Sequence, residues 1–288
     1  MDEIFMPDGS FSINEITGYH SRQCNCSSNR VNNADEFEVS VGSKNTLLKR
    51  KMSDMQKVPF RFICNIYHKD WGAFCTGTLI GPRTILTAGH CIAGKSVEDL
   101  MVAPGRFGEN NFPFGASKVT SVHLPSNFKG GSATDIGLIY LEKPLGNTVG
   151  YWSADYKKLS FDDVGTSFIK KGPVAYPGNF KVNLSGYPGD MPNGCTTDCG
   201  TFQYSTYDVT TKFVEDPSKR KLNGHMLRTL RYENDTSGGH SGSPVWVKRD
   251  KSMGGRVLCG VHIGIIGATE TVAVYLLPWV DYIKARIK

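Results

Sequence analysis

The sequence predicts an all-β chain, a barrel or a sandwich, on three observations. From Val58 onward, short apolar or alternating runs follow one another. Glycine, proline and asparagine break those runs at close intervals, and no helical pattern alternates with them. The first run, FRFICNIY (60–67), is built from the aromatic and β-branched residues that pack well on a pleated surface. CTGTLIG (75–81) and RTILTAGHC (83–91) follow, with a Gly-Pro break between them. DIGLIYLEK (135–143) leads a charged residue into a run that reads as buried. FKVNLSGYP (180–188), HMLRTLRYE (225–233), SPVWVK (243–248), RVLCGVHIGII (256–266) and TVAVYLL (271–277) complete the strand set. Only PWVDYIKARIK (278–288) reads as a helix, because Pro278 suits a first turn and Val280, Ile283 and Ile287 form a spaced apolar stripe. Residues 1 to about 54 differ from all this: they are polar, rich in Asn and Ser (CNCSSNRVNN, 24–33), and read as an N-terminal extension, partly disordered or draped over the domain.

The bulk composition excludes several classes. A length of 288 residues suits one large β domain or two small ones sharing a core. No apolar run approaches the roughly 20 residues that span a bilayer, so no membrane partner is expected. The net charge of +6 is scattered, and the densest basic patches, KNTLLKRK (44–51) and DPSKRK (216–221), read as solvated loops rather than a nucleic-acid footprint. A weakly basic surface favours acidic substrates at low salt. Eight cysteines point to an oxidising, secreted or extracellular setting, although MDEIFMPDGSF has neither the basic nor the apolar region of a signal peptide.

The stretch GGHSGSPV (238–245) raises the question of chemistry. Taken alone, Ser241 is either a nucleophile or the polar member of a turn. A serine hydroxyl attacks only when a positioned base takes its proton. His90 ends the apolar run ILTA, where a strand delivers it to an edge; on its own it reads as a strand cap. An imidazole base needs a carboxylate to fix its tautomer, and Asp135 enters a run that looks buried, where a carboxylate requires a partner. The order His90, Asp135, Ser241 excludes the α/β-hydrolase arrangement of serine, acid and histidine, and GHSGS lacks the last glycine of that elbow.

TAGHC, DIGLIYL and GGHSGSPV, in this order in an all-β chain, resemble the chymotrypsin-like serine proteases. SGSP, LIGPRTILTAGHCI, PGR (104–106), PLGNTVGY (144–151) and SGYPGD (185–190) are similar to one branch, the bacterial glutamyl endopeptidases of the V8 type. The resemblance runs from about Ser40 to the C-terminus. It implies two six-stranded antiparallel β-barrels of the trypsin-like type with a C-terminal helix: residues 55–150 as the barrel carrying His90 and Asp135, 151–277 as the barrel carrying Ser241 and the specificity pocket, and 278–288 as the helix. It implies cleavage of protein or peptide substrates through an acyl-enzyme, with His90 as base and acid, Asp135 as its orienter, Ser241 as nucleophile, and the N–H groups of Gly239 and Ser241 as oxyanion hole. No cofactor, metal or nucleic acid is expected, and the chain is expected to act as a monomer.

The resemblance also implies finer features. SVGSKNT (40–46) looks like the mature start of the glutamyl endopeptidases, which makes residues 1 to about 40 a propeptide remnant and the chain a zymogen. Cys75 and Cys91 match a family disulfide. Cys195 and Cys199 are close enough to close a small loop, while Cys24, Cys26, Cys64 and Cys259 have no assigned partner. Asn25, Asn183 and Asn234 begin sequons, and a glycan on Asn234 would crowd the pocket. His240 stands where trypsin-type enzymes keep an aspartate, so trypsin-style activation is not expected. Thr236 and His262 stand where the glutamyl branch binds a P1 carboxylate. Asp235 matches the trypsin position that selects Arg and Lys, and Ile265 replaces a V8-type glycine. The expected activity is therefore cleavage after Glu, with cleavage after Arg or Lys, or an inactive protease-like binding protein, as the alternatives.

Overall fold

A computed structural model describes residues 47–70, 72–152, 180–191, 198–248, 256–266 and 270–288. Most of the expected extension, with Cys24, Asn25, Cys26 and the stretch 40–46, lies outside the described residues, as does Cys195. In chain order, β1 (Leu48–Lys49), β2 (Ile63–His68), β3 (Gly72–Leu79), β4 (Thr84–Thr87), β5 (Leu100–Pro104), β6 (Ser117–His123) and β7 (Gly137–Leu141) precede a short helix, α1 (Leu145–Val149). They are followed by β8 (Phe180–Gly186), β9 (Tyr204–Glu215), β10 (Lys221–Leu222), β11 (His225–Met226), β12 (Arg228–Tyr232), β13 (Pro244–Lys248), β14 (Arg256–Ile266), β15 (Glu270–Tyr275) and a last helix, α2 (Val280–Lys284).

Two closed antiparallel barrels result. In the first, the ring runs β2-β3-β4-β7-β6-β5. In the second it runs β9-β12-β15-β14-β13-β8 and closes through a β8–β9 pairing, with β1 added beside β9. Closure leaves no open sheet edge and turns alternate side chains inward. Ile66, Leu79, Ile85, Val102 and Ile139 share one face and fill the first barrel, and Val182, Leu184, Leu230, Val245 and Ala273 fill the second; all are buried. Trp152, after α1, stacks at 5.9 Å on Trp246 of the second barrel and donates its Nε1–H to Thr78 of the first at 2.6 Å.

The nine strand runs expected from the sequence all carry strands, although HMLRTLRYE divides into β11 and β12. The expected helix 278–288 is shorter. Pro278 sits in a 3-10 turn, Leu277–Trp279, and the α-helix ends at Lys284. The backbone N–H of Lys288 donates to Thr84 Oγ1 at 2.8 Å and its carbonyl accepts from Arg83 N–H at 2.9 Å. Those bonds to the first barrel replace the ones a continued helix would make. Trp279 Nε1 also reaches Ala133 O at 3.2 Å, so the end of the chain straps one barrel to the other. Asn183 and Asn234 are buried, so neither sequon is open to a glycan. No helix among the described residues is long and apolar enough to cross a membrane.

Candidate active site

The histidine of interest leaves β4 on a 3-10 turn, Gly89–Cys91, which lifts it to the barrel rim with a side chain 22% exposed. Asp135 precedes β7 and is fully buried. Its carboxylate accepts from the backbone N–H of His90 at 2.9 Å, from His90 Nδ1 at 2.7 Å and from the N–H of Gly131 at 2.7 Å. A carboxylate only accepts, so Nδ1 carries the proton and the neutral ring keeps a lone pair on Nε2. Burial pulls the His90 pKa down, but the charge and the hydrogen bond of Asp135 outweigh it and hold the group above the ordinary histidine value.

Ser241 comes from the second barrel, in the turn that enters β13. Its carbonyl accepts from the N–H of Thr76 in β3 at 2.8 Å. The next residue back, Cys75, is bonded to Cys91, the neighbour of His90. Cys91 Sγ lies 3.6 Å from the Ser241 carbonyl oxygen. One backbone hydrogen bond and one disulfide therefore set the serine beside the histidine, across the junction of the barrels.

The amides around Ser241 are held from behind. The Gly238 carbonyl accepts from Gly189 N–H at 2.5 Å, and the His240 carbonyl from Ser243 N–H at 2.9 Å. A trans peptide points its N–H opposite to its C=O, so the N–H groups of Gly239 and Ser241 face the other way. Among the described residues nothing accepts from either. Gly239 has φ +96°, and a Cβ there would run into the Tyr187 carbonyl and the Gly189 amide. Only glycine fits.

Behind this turn lies a buried polar chain. Thr236 Oγ1 is 3.1 Å from His262 Nε2 and 3.1 Å from His240 Nδ1, and Tyr232 Oη is 2.8 Å from His262 Nδ1. The N–H of Ser237 donates to His240 Nδ1 at 3.4 Å, which puts the His240 proton on Nε2, an atom without a partner among the described residues. A consistent proton order runs from Tyr232 O–H to His262 Nδ1, from His262 Nε2–H to Thr236, and from Thr236 O–H to His240. Both rings are neutral: burial pushes the His240 pKa down to about 3, and burial, with His240 and His90 nearby, holds His262 well below its ordinary value. Asp235, beside Thr236, is also buried.

The structure thus brings His90, Asp135, Gly239 and Ser241 to one junction, and Thr236 and His262 to the buried polar chain behind it, with Asp235 alongside. Two residues of this region carry no sequence signal of a role. Tyr232 is one position in a strand, and Thr76 lies more than 160 positions from the turn it bonds. Cys75–Cys91 is formed as expected, and Cys199 is disulfide-bonded. Cys64 and Cys259 are buried thiols, the second donating to Val245 O at 3.3 Å. His68, Asp70 and Asp99 bring three potential ligand atoms within 4.8 Å of one another, but Lys69 Nζ already holds Asp99 at 2.5 Å.

The family description Trypsin matches residues 50–280. A glutamyl endopeptidase of Bacillus licheniformis is 34% identical over 203 residues, covering 69% of this chain and 52% of that protein. An extracellular metalloprotease of Bacillus subtilis is 29% identical over 193 residues, covering 65% of this chain and 50% of the other. The chain spans about half the length of these two relatives. A solved structure of a Glu endopeptidase in complex with MPD superposes with a TM-score of 0.59 at 24% identity, over 85% of this chain and all of the other, and shares the fold.

Proposed function

The chain belongs to the trypsin family, and on that premise we propose that it is a serine endopeptidase that cuts peptide bonds after glutamate through an acyl-enzyme. Ser241 Oγ attacks the scissile carbonyl carbon as its proton passes to His90 Nε2. Asp135 holds the ring in the required tautomer and stabilises the imidazolium that forms. The N–H groups of Gly239 and Ser241 receive the oxyanion, with no reorganisation at the moment of reaction. The imidazolium then protonates the leaving nitrogen, the C–N bond breaks, and the acyl group stays on Ser241. A water, deprotonated by His90, attacks that ester; the serine oxygen leaves and recovers its proton.

The observation that supports this most is the buried Asp135 carboxylate gripping His90 twice, next to the serine whose neighbouring amides are pinned with free N–H groups. For the P1 side chain, Thr236 and His262 hold the donors a carboxylate needs when it leaves water, Thr236 O–H turning to it from His240 and His262 Nε2–H from Thr236. Tyr232 supports that role by occupying Nδ1. Cleavage after Arg or Lys is the second reading, carried by the buried Asp235. The disulfides and the bacterial relative named as extracellular support action outside the cell. An activating cut near residue 40 belongs to the same reading, as does action as a monomer on protein or peptide substrates. A fluorophosphonate probe tests the core of it: the protein labels, and Ser241→Ala does not. Folded protein that resists labelling favours the inactive binding protein.

A further inference from the structure

We propose that Thr76, on the first barrel, is a positioning residue that locks the oxyanion hole of the second. This rests on the reading of Ser241 as nucleophile and adds a residue to it. Two of the polar groups of Thr76, its hydroxyl and its N–H, make three hydrogen bonds at this junction. Its Oγ1–H donates to the Gly239 carbonyl at 2.8 Å, and the same oxygen accepts from Tyr187 N–H at 2.9 Å. Its backbone N–H holds the Ser241 carbonyl at 2.8 Å. Thr76 itself is fully buried, and its own carbonyl is held by Thr87 Oγ1 at 2.7 Å, so it cannot follow the turn if the turn moves.

The consequence is local and specific. Gly239 at φ +96° has no side chain to limit it, so the direction of its N–H depends on the two peptides that flank it. The peptide before is held by Gly189 N–H on the Gly238 carbonyl, and the peptide after by the Thr76 hydroxyl on the Gly239 carbonyl. Tyr187 N–H, held by the same hydroxyl, keeps the segment that carries Gly189 in place, and Tyr187 Oη is anchored in turn on the Arg106 carbonyl at 3.2 Å. Removing the hydroxyl releases both restraints together and leaves a buried acceptor and a buried donor unpaired. The peptide after Gly239 is then free to rotate and the Gly189 contact on the peptide before it loosens, so the Gly239 N–H leaves the position where the oxyanion forms.

The test compares Thr76→Val, which keeps the shape without the hydroxyl, with Thr76→Ser, which keeps the hydroxyl. Direct loss of one oxyanion donor costs about 10²–10³ in kcat; a residue one step removed should cost roughly 10- to 100-fold. Thr76→Val should show that fall in kcat well below its melting temperature, with KM within about threefold and the midpoint of the pH profile unchanged. Affinity for a peptide boronate, which mimics the tetrahedral species, should fall in parallel, while affinity for a product peptide stays level. Thr76→Ser should return kcat to within about threefold of the parent. A Thr76→Val protein with parental kcat overturns the inference, as does a loss that Thr76→Ser fails to restore although that variant melts like the parent. If the parent shows no Ser241-dependent turnover, the reading of Ser241 fails and the inference falls with it.

Discussion

Three histidines share one region of this protein, and their surroundings drive them in opposite directions. His90 is buried on one side but faces a carboxylate, which raises its pKa; His240 and His262 are buried without one, which lowers theirs. A base works only when neutral, so activity is lost as pH falls through the His90 value. The acid limb of kcat/KM should have its midpoint above the ordinary histidine pKa of about 6.5. Asp135→Asn removes both influences that raise it and leaves the burial that lowers it. That variant should lose about 10⁴ in kcat, and its residual rate should have an acid limb displaced to lower pH. A limb at the parental position would show that Asp135 does not set the base. His90, Asp135 and Ser241 were legible in the sequence as candidates only through their order and the resemblance their motifs carry; each alone reads as a strand cap, a partnered buried acid or a turn. Thr76 and Tyr232 were not. Their roles come from partners brought close only by the fold, and an isolated Thr or Tyr in a strand looks like packing.

The turn at residues 237–243 is held as a unit because its carbonyls are gripped from three sides: Gly238 by the segment after β8, Gly239 and Ser241 by β3, and His240 by the turn itself. Gly239→Ala is the direct probe of that geometry. A Cβ at this φ collides with backbone on the far side, so the turn must shift; kcat should fall by about 10²–10³ and stability by about 1–3 kcal/mol, read by kinetics and by thermal melting. Parental kcat in this variant would remove the amide from the mechanism. At the same scale, β5, β6 and β9 escaped the sequence reading. SKVTSVH is polar and YSTYDVTTKFVE is polar and threonine-rich, and their strand character comes from pairing with β7 and with β8 and β12 rather than from an apolar run. The C-terminal helix was over-read for the opposite reason: its apolar stripe is real, but Ile287 packs against the first barrel at Gly81 while the backbone of Lys288 bonds to β4 and its approach.

Across the whole molecule, each barrel supplies what the other lacks on the proposed mechanism: base and orienter from the first, nucleophile, oxyanion amides and P1 donors from the second. The buried polar chain also sets how the fold responds to acid. Below about pH 6.5 the unfolded chain protonates His240 and His262, whereas the folded chain keeps them neutral until much lower pH. Each should then subtract about 1.4 kcal/mol of stability per pH unit once its unfolded form is protonated. His90 acts with the opposite sign, its contribution being present at low pH and lost as pH rises through its folded value, but it is one group against two. The melting temperature should therefore fall as pH drops from about 6.5 toward 4. A flat profile across that range would mean that the two rings are not buried and neutral together.

The most direct test of the account is the rate of cleavage of matched peptides that differ only in having Glu, Asp, Arg, Lys or Phe before the scissile bond, each measured with the parent protein, Ser241→Ala and His262→Val. The account predicts the highest kcat/KM for Glu, almost none with Ser241→Ala, and a loss for Glu of about 2–4 kcal/mol with His262→Val, the cost of truncating one partner of a desolvated polar pair. Fastest cleavage after Arg or Lys would assign the pocket to Asp235 and contradict the glutamate reading, and undiminished cleavage by Ser241→Ala would contradict the mechanism itself.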